Sequence, residues 1–420
     1  MNKRRLFVAS CISLLTTSMV FAIRGDIEAS LSAAFHLSKE QMGLIWGPAF
    51  WGFTVAIFIS GALVDVLGMR ALHVLSSLGY IAGVLLVLAA PKPDGPVVSI
   101  FSNGGTTMLY VGFLAMGLSQ GLVEGVINPL IATIYSDEKT RKLNVLHAWW
   151  PGGMVVGGIT AVILSAAGAS WQVKLATIMV PAAIYLVMAA TQAYPKTERV
   201  TSQVSARTMF AQAGRPFFLV LFVCMWMTAA TELGPDQWFP SVMKQVAGIE
   251  GIWFLMLTAG IMFVLRFFVS GWVHRFSPFA VMTGCSVVSA IGLYWLGSLQ
   301  PGTSIPIAFL AATVFGFGKV YYWPTMLGVT AERFPKGGAL LISLMGGAGF
   351  LSISFVLPVM GAQFDKLGPG AALRTVAVLP IILSIVFGAM YVAFRVRGGY
   401  RPLAIGEGGD PGLGPAIAPK

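Results

Sequence analysis

Charge is what this sequence has least of. Only 10% of its 420 residues are Asp, Glu, Lys or Arg, where a soluble chain carries roughly 25%. A surface so poor in charge cannot be solvated by water, and 56% of the residues are hydrophobic, with a mean hydropathy of +0.81. Disordered, collagen-like and disulfide-rich classes are excluded by the same figures. Cysteine is scarce too. Cys11, Cys224 and Cys285 all lie inside apolar runs, so they read as small buried hydrophobes and no disulfide framework is expected. Four histidines without metal-ligand spacing predict no metal site. The chain also lacks a Walker loop and a nucleophile triad, so no cofactor, no ATP-driven step and no enzymatic activity are expected. The formal net charge is +11, yet no basic face is laid out to hold phosphates, which excludes nucleic acid as a partner.

What is present is a series of long apolar runs. About 20 apolar residues cross roughly 30 Å of hydrocarbon. Candidate spans lie near 6–34, 42–64, 71–90, 108–136, 148–168 and 173–194, then near 216–240, 250–270, 279–298, 306–332, 338–361 and 370–395. The sequence therefore predicts an all-α integral membrane protein of 12 transmembrane helices. Its halves are 1–195 and 216–400, joined by a polar linker at 196–215 and followed by a disordered Gly/Pro-rich tail at 401–420. Lys3-Arg4-Arg5 before Leu6 imitates a secretory signal, but with so many spans behind it the segment reads as an uncleaved first helix. Of 27 lysines and arginines, 18 fall on the side of the N-terminus and six on the other. The positive-inside rule then puts both termini in the cytoplasm of a multi-pass cell (inner) membrane protein.

The halves repeat. Asp236 lies 210 positions after Asp26, and Ser270-Gly271 lies 210 after Ser60-Gly61. Further along, Pro324 follows Pro129, and Lys319 follows Glu124, by 195. A longer loop around 91–106 absorbs the difference. Ordered coincidences of this kind point to two pseudo-symmetric six-helix bundles with a site between them.

Gly61-Ala-Leu-Val-Asp65-Val-Leu-Gly68-Met-Arg70 joins the second and third spans. It resembles the signature loop of the major facilitator superfamily. The physics suits a gate: Gly61 permits close helix contact, Gly68 a tight turn, and Asp65 can meet the positive start of a helix. Arg70 would stay at the inner surface. Around Gly121-Leu-Val-Glu124-Gly-Val-Ile-Asn128-Pro129, and from Asp26-Ile27 to Gln41-x-Gly43-Leu44, the chain also resembles the fucose–proton symporter family. That resemblance implies secondary transport of a sugar or sugar derivative with protons by alternating access, and assigns coupling and sugar binding to Asp26 and Glu124.

A charge at the bilayer centre costs about 2.5–3.5 kcal/mol on insertion scales, so depth decides its reading. Glu124 lies about 12 residues, or ~18 Å, inside the fourth span, and Lys319 lies similarly deep in the tenth. Gln120, Glu124 and Asn128, four apart, form one polar stripe. Lys319, with Tyr322 and Trp323 beside it, forms its counterpart, and these two rings are candidates for stacking on a sugar. The repeat predicts that Glu124 and Lys319 meet across the central cavity, directly or through one water, in at least one conformation. Arg24 and Asp26 on the first span, with Glu232, Asp236 and Gln237 on the seventh, complete the candidate site, and Gly234-Pro235 is expected to break the seventh helix. Arg266 reads as a snorkelling surface residue, His147 as a helix-start residue, and Trp46, Trp51, Trp149 and Trp150 as lipid or interface anchors. The expected partners are a small molecule, protons and the bilayer, and the expected state is a monomer. Lys319, Arg24 and Arg266 leave an organic anion or sugar acid carrier as the alternative. Drug efflux fits the polar stripe less well, and a non-transporting sensor would carry a long signalling tail.

Overall fold

The computed structural model describes residues 2–135, 139–196, 206–268, 276–401 and 403, all helix, turn or loop. Twelve helical segments run back and forth: α1 Lys3–Phe35, α2 Lys39–Leu67, α3 Met69–Ala89, α4 Gly104–Ile134, α5 Lys139–Ala166 and α6 Trp171–Ala190. The second set is α7 Pro216–Ala247, α8 Ile252–Phe268, α9 Pro278–Ser298, α10 Ile305–Lys319 continued by Tyr322–Arg333, α11 Gly338–Leu367 and α12 Pro369–Val396. Among the described residues, eleven spans are long and apolar enough to cross a membrane; α8 is the shorter one. These are the spans expected from hydropathy. Of the linker and tail expected at 196–215 and 401–420, residues 197–205, 402 and 404–420 lie outside the described residues, and the rest of the linker includes a short helix, Ala206–Ala213.

Local sequence sets the ends. Asn2 caps α1 by accepting from the Arg5 amide, and Ser38 with Gln41 forms a reciprocal capping box on α2. Gly68, at φ +81°, makes the corner between α2 and α3, which a side chain would strain. Prolines sit inside α2, α4, α5, α7, α11 and α12 without ending them, as neighbouring helices permit in a membrane. The break expected at Gly234-Pro235 is therefore absent: α7 runs through both Pro235 and Pro240. A break does occur in α10, at Val320 and Tyr321, directly after Lys319. A lysine at a helix C-terminus is favoured by the partial negative charge there.

The halves meet along α2 with α11, α5 with α8, and α1 with α7. At the face opposite the termini they are shut. Glu28 accepts from Lys39 Nζ at 2.6 and 2.7 Å, and Lys39 reaches Ser241 of α7 at 3.0 Å. Asp365 of α11 accepts from the amides of Lys39 (3.3 Å) and Glu40 (3.0 Å), a carboxylate on the positive end of α2. A Cβ on Gly43 would stand 2.8 Å from backbone atoms of Leu357 and Pro358, so the glycine is what lets α2 and α11 touch.

Candidate functional site

Arg24 lies in the third quarter of α1, only 2% exposed. Its Nε donates to Gln237 Oε1 of α7 at 2.6 Å, and Gln237 is held in turn by the Phe21 carbonyl at 3.2 Å. The guanidinium carbon lies 4.6 Å from the Phe50 ring centre, 5.2 Å from Phe21 and 6.0 Å from Trp46. No carboxylate pairs with Arg24 among the described residues, and its terminal nitrogens make no further hydrogen bond there. A buried cation normally has an ionic partner, because taking it out of water costs several kcal/mol. Aromatic faces recover part of that cost.

The wall around Arg24 continues into the second half. Phe53 and Phe350 stack at 4.1 Å, and Phe350 meets Phe50 (6.0 Å), Trp150 (5.9 Å) and Trp323 (5.4 Å). Trp46 and Trp150 are buried at 0% and 8% exposure, so they line the interior instead of anchoring to lipid. Trp149 does face outward, at 38%. Trp323 stands at the interface as a stacking ring can. Tyr322 does not: it is fully buried in the packing core of the second half with Met225, Met326 and Phe334.

Three acidic groups find other partners than the sequence suggested. Lys319 bonds Asp236 at 2.5 and 2.7 Å within its own half, so the expected Lys319–Glu124 contact is not formed here. Both members of that pair are fully enclosed. Glu232, one turn earlier on α7, accepts from Arg266 at 3.1 Å, and Arg266 also donates to the Val320 carbonyl at 2.9 Å, exposed by the break in α10. Arg266 thus turns inward instead of snorkelling. The second Glu232 oxygen is buried without a donor among the described residues. Asp26 is committed to Lys174 of α6 at 2.7 Å, inside the first half, which leaves the transferred coupling role without support.

Glu124 sits half-buried on α4 and accepts from Asn128 Nδ2 at 2.9 Å; Asn128 Oδ1 lies 2.9 Å from His147 Nε2 of α5. Gln120 continues the stripe, its amide nitrogen buried and without a partner among the described residues. His147 is not at a helix start, since α5 begins at Lys139. The clue missed in the sequence was its spacing to the Asn-Pro of α4, which only the packing of α5 on α4 turns into contact. Tyr80 of α3, donating to Thr17 at 2.9 Å, lies within electrostatic reach of both Glu124 and Arg24. Of the gate motif, Arg70 donates to the Ala190 carbonyl at the end of α6; Gly61 and the Asp65 side chain lie outside the described residues. No metal-ligating cluster occurs among the described residues.

The family model described as Major Facilitator Superfamily matches residues 6–340. A Corynebacterium glutamicum protein named as a gentisate transporter is 24% identical over 389 residues, covering 84% of this chain and 82% of its own. A Bacillus subtilis protein named for niacin/nicotinamide transport is 20% identical, covering 80% and 82%. Among solved structures, the xylose transporter XylE of E. coli in a partially occluded inward-open conformation gives a TM-score of 0.75 at 15% identity, covering 93% of this chain and 99% of that one. The E. coli fucose–proton symporter FucP gives 0.60 at 15% identity, covering 91% and 98%. At such identities these two show the fold alone.

Proposed function

Since the chain belongs to the Major Facilitator Superfamily, a secondary transporter family and not an enzyme family, we propose that it carries a small aromatic carboxylate in symport with a proton. One observation carries the choice of anion over sugar: Arg24, buried, ringed by Phe21, Phe50 and Trp46, and without an ionic partner among the described residues. A guanidinium offers a carboxylate two parallel hydrogen bonds, and the aromatic wall offers a flat ring its stacking surface. The names of the gentisate and niacin transporters point the same way. Both termini would be cytoplasmic, so the closed face would be the external one.

Charge balance supports proton coupling. Six charged side chains surround the centre: Arg24, Glu124, Glu232, Asp236, Arg266 and Lys319. Two ion pairs account for four of them. Arg24 and Glu124 remain, each without an ionic partner among the described residues, and offset one another only at a distance. A substrate carboxylate on Arg24 leaves Glu124 uncompensated, at about 2.5–3.5 kcal/mol near the bilayer centre. Taking up one proton removes that charge, which ties proton uptake to anion binding.

Proteoliposomes with a pH gradient and labelled benzoate, nicotinate, gentisate, xylose and fucose test this. Acid-side-driven accumulation of the carboxylates, with the sugars excluded, is expected. Glu124→Gln should abolish accumulation while sparing exchange. Sugar–proton symport, which the fucose-symporter resemblance implies, reverses the order of substrates.

A further inference from the structure

We propose that His147 is the second proton site of the coupling network, loading at Nδ1. The proposal deepens the symport reading above and rests on it for its role in transport. Asn128 fixes the histidine's proton. Its Nδ2 points at two acceptors at once, the Glu124 backbone carbonyl at 3.1 Å and Glu124 Oε2 at 2.9 Å. Rotating the amide would set Oδ1 against both, so the orientation is determined by chemistry. Oδ1 can only accept, and it lies 2.9 Å from His147 Nε2. Nε2 therefore carries the hydrogen. A neutral imidazole holds one proton, so Nδ1 is bare, and it has no partner among the described residues. One extra proton on Nδ1 makes the imidazolium; the Nε2–H···Oδ1 bond stays intact and nothing else in the triad moves.

The groups facing this proton site come from five helices. Glu124 on α4 is joined to His147 through Asn128, and Tyr80 on α3, bonded to Thr17, and Arg24 on α1 are the other ionisable groups of the first half. From the other half, Arg266 on α8 is the cation, held by the Glu232 carboxylate of α7 at 3.1 Å. The α5–α8 contact is one of the seams along which the halves meet. Gly152 faces Phe263 there, at 3.3 Å from a built Cβ. A rocking motion that repacks α5 against α8 changes the surroundings of His147, and its proton affinity with them. That is a coupling between conformation and protonation in the thermodynamic sense.

Two measurements test it. Nitrogen-15 NMR of histidine-labelled protein in bilayers, assigned by the spectrum of His147→Gln, reads the tautomer without any substrate. Bare Nδ1 at alkaline pH, protonation there on acidification, and mixed tautomers in Asn128→Leu are expected. Bare Nε2, or no protonation down to the acid limit of folding, overturns the proposal and leaves the anion reading untouched. The second is transport of whichever labelled compound the panel identifies. His147→Gln keeps a donor for Asn128 and has no titratable nitrogen. It should retain counterflow within about threefold and lose pH-driven accumulation at least tenfold. Full accumulation in His147→Gln also overturns the proposal.

Discussion

Replacing Arg24 with methionine separates a binding role from a structural one, because the two predict opposite changes in stability. In the free protein the guanidinium is 2% exposed and holds one hydrogen bond, to Gln237. Losing that bond costs about 1–3 kcal/mol, and losing the aromatic contacts costs about 0.5–2 kcal/mol. Against this stands the desolvation of an unpaired cation, several kcal/mol, which methionine removes. The melting temperature should therefore stay level or rise. With a carboxylate bound, the same side chain supplies two charge-assisted hydrogen bonds at about 1.5–3 kcal/mol each. At 1.4 kcal/mol per decade, affinity should fall on the order of 10²- to 10⁴-fold. Arg24→Lys, which keeps the charge without the fork, should fall between. Equilibrium binding of labelled acid, with thermal unfolding of the same samples, reads both quantities. Binding within threefold of wild type, or a clearly lowered melting temperature, would refute the reasoning.

Other outcomes follow from the same contacts. Asp236→Ala should destabilise the fold by about 3–5 kcal/mol, because it strands Lys319 at 0% exposure. Asp236→Ala with Lys319→Ala should recover part of that in a thermal-shift assay; a double variant worse than the single would deny that they act as a pair. Gly43→Ala puts a methyl 2.8 Å from the backbone of α11 and should pry the closed face apart, raising maleimide labelling of Ser241→Cys severalfold. Glu28→Gln, which weakens the Lys39 latch, should raise the same labelling less. Unchanged labelling in both would show that these contacts do not hold that face shut.

The helices were legible because all but α8 are runs of apolar residues about as long as the hydrocarbon is thick, and hydropathy needs no tertiary information. The mid-membrane charges were legible for the opposite reason, since a lysine or glutamate inside such a run is costly and stands out. Their partners were not. The repeat aligned Glu124 with Lys319, but symmetry-related positions need not touch, and Lys319 instead reaches Asp236 across its own half. Arg266 looked close enough to the surface to snorkel, and it was the break after Lys319 that exposed the Val320 carbonyl and drew it inward. Gly234-Pro235 misled because a membrane helix tolerates proline when its neighbours pack closely. Aromatics such as Trp46 carry no mark in sequence of whether they face lipid or cavity. Only the packing of α2 on α1 and α11 makes a wall of them.

The account turns on a carboxylate at Arg24, and an acid compared with its own amide tests that most directly. Nicotinate and nicotinamide share ring and size and differ in the charge Arg24 would hold. Titration calorimetry of the purified wild-type protein should show nicotinate binding about 100-fold or more tighter than nicotinamide, with no heat from xylose. Equal affinity for acid and amide, or xylose binding more tightly than either, would contradict the account.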